Sequence, residues 1–343
     1  MHPIGIAREA TSCKVTRWLA GVLAALLIMV ASATAQTCLA GDEIDAATRG
    51  GLEKAGHQYF NWTATGDVAS MRQNAIPAVA SDFSGIETAV KDNQSNFAGT
   101  QATVRPPFLL QVDGKETLAR AEFLCGVFGK TGQTSTSAVF VIPSLPPGEY
   151  GVVILDVAAK TPTTLSLVLQ KAGTEWKLGG YHARPSQVGG HDSAWFLERA
   201  RAFKAKGQNH NAWLYYMKAR ELMAPVPFMS TMQTDKVYDE SQSLQLSDSP
   251  STETPMEIAG AGKVYRFTSI FPVGIGGDLD LVVKYQSPSV ANTAQTYQDN
   301  LAAIRALVAK YPEYREGFAA IIARAVEPSG RDYGTMLAVK DIK

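Results

Sequence analysis

Apolar positions follow two different rhythms along this chain, and the change between them marks its architecture. In residues 42–98 they recur at three- and four-residue spacing: Leu52, Ala55, Gly56 and Tyr59 fall on one helix face. Behind the step Gly66-Asp67, where Asp67 can cap, a second helix carries Val68, Met71, Ala75 and Val79, and Pro77 shortens or kinks it. A third stripe, Phe83, Ile86 and Val90, starts after a further cap at Asp82. Pro106-Pro107 ends the helical region, and the period becomes two. Strands are predicted at Phe108–Val112, Glu122–Phe128, Ala138–Ile142 and Tyr150–Val157, followed by the alternating leucines 165, 167 and 169 and the closing run Glu175–His182. On that last strand Trp176, Leu178 and His182 share a face under simple alternation. Helices first and an antiparallel meander after them predict an α+β fold with helices on one side of the sheet.

A helical texture returns at Gly189-Gly190. Asp192 or Ser193 can cap a helix to Lys206, Gly207 closes it, and a second helix runs from about Asn209 to Met223. A further helix is predicted near Phe228–Tyr238. The polar, proline-broken stretch 246–256 has linker composition. Beyond it, Val264–Phe271, Leu279–Tyr285, a helix with Tyr297, Leu301, Ile304 and Val308 on one face, then Phe318–Val326 and Tyr333–Val339 give a ββαββ order. The expected division is therefore 42–186, 190–245, a linker at 246–256, and 257–343.

Two resemblances can be stated on these residues. The aromatic first helix, the Thr65-Gly66-Asp67 step and the closing W-K-L-x-G-Y hairpin (Trp176 to Tyr181) make residues 45–185 similar to the nuclear transport factor 2-like, cystatin-like domains of secreted bacterial proteins. Ala200, Phe203, Gly207, Ala212, Tyr216, Ala219 and Leu222, with Phe196 as first aromatic, resemble a single copy of the 34-residue tetratricopeptide hairpin. One copy cannot bury its own faces, so it must pack on a neighbour. The C-terminal unit resembles no family.

The N-terminus adds a compartment. Arg8, Lys14 and Arg17 precede the 13-residue apolar run Trp18–Val30, and small residues follow at Ala31, Ala33 and Ala35. This is the order of a secretory signal peptide over residues 1–35, with cleavage near Ala33 or Ala35. An uncleaved anchor is the alternative and the one route to a membrane; a lipid anchor at Cys38 fits badly with Thr37 and Ala35 before it. Three of 32 basic and one of 32 acidic residues lie in that segment, leaving 29 against 31, so no charge excess invites nucleic acid. The two cysteines past the leader, Cys38 and Cys125, are expected to pair and to close a loop of nearly 90 residues. The sequons at Asn61 and Asn93 matter only in a eukaryotic pathway.

Motifs of catalysis are missing. There is no G-x-S-x-G or H-E-x-x-H, and none of His57, His182, His191 and His210 has zinc-ligand spacing with another or with a cysteine. No metal or other cofactor is therefore expected. His191 and His210 read as solvated flanks of the hairpin. Gly260-Ala-Gly262-Lys263 lacks the hydroxyl of a phosphate loop, Gly274-Ile-Gly276-Gly277 reads as a hairpin turn, and Asp278 with Asp280 reads as a solvated strand edge. The cystatin-like resemblance implies a conical cavity between first helix and sheet; Tyr59, Trp62, Trp176 and His182 are the residues placed to line it, His182 being the one group able to act as a base. The expectation is an exported, non-catalytic protein of the bacterial envelope that binds another envelope protein through the hairpin, or a small apolar ligand. The alternative is a cavity enzyme of isomerase or hydrolase type.

Overall fold

The structure is a computed structural model; it describes residues 36–126, 134, 136–244 and 246–343. The segment read as a signal peptide, with its cleavage sites, lies outside these residues.

The first unit has three layers. Strand β1 (Gln36–Ala40) leads into helix α1 (Ala46–Thr65), which starts where the Asp45 carboxylate accepts hydrogen bonds from the Ala47 and Thr48 amides and stops at Gly66 in the left-handed region. Asp67 caps α2 (Val68–Gln73), and Pro77 opens a separate α3 (Pro77–Ser81), because its ring fits the first turn and nothing later. In α4 (Ser84–Phe97) the N-cap position is Phe83; Asp82 accepts from the Ser84 hydroxyl instead of capping. Strands β2 (Ala102–Val104), β3 (Phe108–Val112), β6 (Gly148–Val157), β7 (Thr163–Ala172) and β8 (Glu175–Pro185) join β1 in a six-stranded antiparallel sheet. Its path is β1-β3-β6-β7-β8, with β2 also on β6.

Strands β4 (Leu118–Cys125) and β5 (Ala138–Leu145) leave this sheet, against the expectation of one continuous meander. They pair with the short β9 (Met229–Thr231) in a small second sheet lying on the first sheet's other face. The reason is visible in β6. Val153, Leu155 and Val157 bury against the helices, while Tyr150, Val152 and Ile154 bury against Phe123, Cys125 and Phe140 of the second sheet. A strand apolar on both faces needs a layer on each side. Cys38 of β1 and Cys125 of β4 are disulfide-bonded across the two sheets, Cα atoms 5.0 Å apart. Such a bridge belongs to an oxidising, non-cytoplasmic compartment.

Glycines set how closely α1 lies on the sheet. A Cβ on Gly56 would stand 2.7 Å from Val153 Cγ1, and one on Gly151 would stand 2.1 Å from Leu52 Cδ2. Each glycine makes room for a side chain of the opposite layer, Val153 over Gly56 and Leu52 over Gly151.

The hairpin forms much as its pattern predicts: α5 (Ser193–Ala205), a left-handed Gly207, and α6 (Asn209–Met223), with Phe196, Ala200, Phe203, Ala212, Tyr216 and Ala219 all buried. Helix α7 (Met232–Gln242) follows β9. The last unit adds a strand the sequence did not disclose, β10 (Met256–Gly260), before β11 (Lys263–Ile275), β12 (Asp278–Gln286), α8 (Thr293–Lys310), the one-turn α9 (Tyr314–Gly317), β13 (Ala320–Val326) and β14 (Asp332–Ala338). The five strands run in order β10 to β14, with β12 and β13 parallel across α8. Tyr297 stays 43% exposed while Leu301, Ile304 and Val308 go inward. Hairpin and last unit share one hydrophobic core. Phe203 meets Tyr215 edge to face and Tyr215 lies at a tilt to Phe318, while Asn211 donates to the Glu313 carbonyl at 2.6 Å. The stretch read as a linker is fastened to that core through Asp248, to which Tyr311 donates a hydrogen bond. No helix among the described residues is long and apolar enough to cross a membrane.

Candidate functional site

The sequence-derived cavity residues divide between two faces of the sheet. Tyr59 and Trp62 meet edge to face at 5.1 Å, and the Tyr59 hydroxyl donates to the Asn74 carbonyl at 2.8 Å and approaches the Trp176 carbonyl at 3.3 Å. Burial pushes the Tyr59 phenol up to about 12, too high for proton transfer near neutral pH. Leu52, Leu165, Leu167, Leu169 and Leu178 are fully buried beside them. Tyr59 belongs to the core, and the partly buried Trp62 and Trp176 pack against it.

His182 lies elsewhere, and a β-bulge is the cause. Leu169 pairs with Leu178 but Val168 pairs with Gly180, so Gly179 is an extra residue and the alternation reverses beyond it. Tyr181 and Ala183 therefore take the helix side. His182, opposite Ser166, takes the other and packs edge-on against Phe228 at 5.7 Å. Burial, with the Arg184 charge adding to it, holds its imidazole below the usual value. It makes no hydrogen bond to a carboxylate among the described residues.

The face that His182 occupies borders a cleft between the first unit and the hairpin with its C-terminal partner. Its larger chamber, 940 Å3, sits between the β1–α1 turn, the Arg105-Pro106 corner and the end of α6; Phe108, Ile154, Met223 and Met229 give it apolar walls. A second chamber of 390 Å3 lies further along α6, between Arg184 of β8, Trp213, Met217 and Arg220 of α6, and Phe271 of β11. An intermediate hollow containing Arg105, Arg184, Met223 and Pro225 has residues in common with both. Volumes of this order suit small ligands.

The larger chamber carries Asp42, Glu43 and Arg105, while the second carries Arg184, Lys218, Arg220 and Glu221, so the basic excess lies along α6. Arg105 is clamped on Asp156 by two hydrogen bonds of 2.8 and 2.7 Å. Lys218, only 8% exposed, holds Glu221 at 2.7 Å. Arg220 lies 4.9 Å over the Tyr238 ring, and its Nε is buried without an acceptor. Arg184 has neither ion pair nor hydrogen bond from its side chain among the described residues.

Other sequence candidates resolve structurally. His210 is half-buried, not solvated: Nδ1 lies 3.0 Å from Glu313 Oε1 and Nε2 lies 3.1 Å from Asp248 Oδ1. Glu313 also accepts the His210 amide at 3.1 Å, capping α6 from 103 residues away. Hydrogen bonds from Tyr311 and His210 hold the Asp248 carboxyl low against an upward push from burial. His191 stacks on Trp195 at 3.6 Å. Asp280 is buried, not a solvated edge; it accepts the Ala320 amide at 3.0 Å, and burial raises its carboxyl. Gly260 to Lys263 and Ile275 to Asp278 are tight hairpin turns with two positive-φ residues each. No cluster of three or more metal-ligating side chains occurs among the described residues. Sequence reasoning passed over Arg184, Lys218, Arg220 and Trp213; bulge and chain reversal bring them together, and no spacing encodes that.

No protein-family profile, no curated protein and no solved structure matches this chain.

Proposed function

We propose that the protein is an exported, non-catalytic binding protein of the bacterial envelope that holds a small, largely apolar molecule in the cleft between its two halves. One observation carries this reading: the 940 Å3 chamber with apolar walls at Phe108, Ile154, Met223 and Met229, which shares Met229 with a second chamber along α6. We read the first unit as a cystatin-like domain whose ligand space has moved from the helix side, filled by leucines, to the opposite face. The hairpin is read as tetratricopeptide-like, and its apolar faces are spent on the C-terminal core, which favours a small ligand over an envelope protein as the partner. A cavity enzyme would need a titratable pair facing the open space; His182 has no carboxylate hydrogen-bond partner among the described residues.

The test uses the uncharged fluorescent probe N-phenyl-1-naphthylamine. Binding to the wild-type chain is expected, with loss of at least most of the enhancement in Met223→Glu, which places a charge in the chamber wall; because Met223 also packs against the hairpin core, the variant is compared at matched circular dichroism. Absence of probe binding, or equal binding to the variant, overturns the cleft as the site.

A further inference from the structure

We infer that the ligand of this cleft is an amphipathic anion, its head held by Arg184 and Arg220 and its apolar body lying along Trp213, Met217 and Phe271. The inference rests on the cleft being the binding site, and it adds the chemical class. The 390 Å3 chamber is lined by three cations, Arg184, Lys218 and Arg220, and one carboxylate, Glu221. Lys218 and Glu221 neutralise each other at 2.7 Å. Two guanidinium groups are left over in one apolar hollow.

A guanidinium on a protein surface is ordinarily satisfied by water, but here the surroundings restrict that. Arg220 stacks on Tyr238, so one face is covered, and its Nε is shielded with no acceptor. The shielded Nε is out of a ligand's reach; what the guanidinium offers an anion is its charge, which no carboxylate among the described residues pairs. Arg184 stands beside His182 on the same strand face, paired across to Thr164 as His182 is to Ser166. Its charge is felt by that imidazole, which is pushed further down. No carboxylate among the described residues forms an ion pair with it, and Glu221, which lines the same hollow, is held by Lys218.

The rest of the wall selects against a bare ion. Trp213, Met217, Ile270, Phe271 and Pro272 offer aromatic and thioether surface, and Met217 is 38% exposed at the mouth. A flexible methionine beside aromatic rings accommodates an alkyl chain readily. A planar guanidinium fork matches either a carboxylate or a phosphate head. The shared chemistry is one compact anionic head on a short alkyl body; the head could belong to a free fatty carboxylate or to a phosphate monoester.

Titration calorimetry and Trp213 fluorescence with sodium decanoate, decyl phosphate and decanol separate the possibilities. The expected result is that at least one anion binds roughly tenfold more tightly than decanol, as charge-assisted hydrogen bonds to a partly shielded head require. Arg184→Gln and Arg220→Gln should each remove that advantage and leave decanol unchanged, while Arg184→Lys retains most of it. Preference for decanoate assigns the carboxylate, and preference for decyl phosphate the monoester. Equal affinity for decanol and both anions, or an undiminished anion preference in Arg184→Gln, overturns the inference while the cleft reading stands. If neither the anions nor the uncharged naphthylamine probe bind, both fall. Variants are compared only at matched circular dichroism, and Arg184, on a strand surface, is the one whose removal least threatens the fold.

Discussion

Two glycine-to-alanine substitutions in the same helix-on-sheet layer should act in opposite directions. Gly50 lies in α1 on its exposed side, with nothing within 4 Å of the place a Cβ would take. Alanine there gains helix propensity, so Gly50→Ala should stabilise by about 0.8–1 kcal/mol. Gly151 lies in β6 under α1, where a Cβ would come within 2.1 Å of Leu52 Cδ2 and 3.3 Å of both Leu52 Cδ1 and Cγ. Carbon atoms pack at about 3.5–4.0 Å, so Leu52 would have to withdraw by more than an ångström from a site where it is fully buried. Overpacking of this kind costs about 1–3 kcal/mol. Against it stands a gain of about 0.5–1 kcal/mol from replacing glycine in a strand. The net expectation for Gly151→Ala is a loss of about 1–2 kcal/mol. Urea unfolding followed by circular dichroism measures both. A double substitution sharpens the reading: Leu52→Ala alone should cost about 2–5 kcal/mol through its cavity, and adding Gly151→Ala should then restore part of it. A stabilising Gly151→Ala, or strictly additive effects in the pair, would show that α1 does not lie on β6 as closely as the contact requires.

Three further outcomes are expected. Reducing the Cys38–Cys125 bridge, which spans 87 residues, should destabilise the chain by about 4 kcal/mol on chain-entropy grounds, and the unreduced, denatured protein without residues 1–35, hence without Cys13, should show no free thiol; thiol labelling and melts with and without reductant check both. Ala212→Leu should overpack the α5–α6 contact and cost about 1–3 kcal/mol, whereas the same change at exposed Ala194 should stay within about 0.5 kcal/mol; equal losses would mean that the helices do not approach there. Asp280 has a folded carboxyl value raised above 3.8, so the wild type loses stability as pH rises from 3.8 through the folded value. Asp280→Asn keeps an oxygen for the Ala320 amide and should melt higher at neutral pH, the advantage shrinking as pH falls towards 3.8; a constant difference across that range would refute the buried charge.

Local periodicity disclosed most of the elements here, because most burial follows the period. The stripes Leu52 to Tyr59 and Leu165 to Leu169 went inward as spaced, Pro77 began a new helix, and the cysteines joined. What periodicity could not disclose is which strands share a sheet. Val152 and Val153 are both buried, each against a different layer, and a continuous apolar run reads the same for one covering layer or two. The cavity assignment failed at one residue of insertion: Gly179 reversed the phase of β8 and carried His182 through the sheet. His210 was misjudged for a similar reason, since its partners stand 38 and 103 positions away. The cleft was invisible because it belongs to no single segment.

The joint between β1 and β4 has a consequence for the order of events when the chain matures. Past residue 35 the protein holds two cysteines, so a single intramolecular pairing exists and no scrambled isomer can trap it. A polypeptide threaded N-terminus first presents Cys38 alone, and the thiol must wait until Cys125 follows. During that interval β1 also lacks β3, with which it pairs from Gln36↔Val112 to Ala40↔Phe108. In an N-terminus-first transit β1 can pair with β3 once residue 112 has crossed and can bond to β4 once residue 125 has, so the bridge can close while β6, β7 and β8 have yet to complete the first sheet and β9 the second.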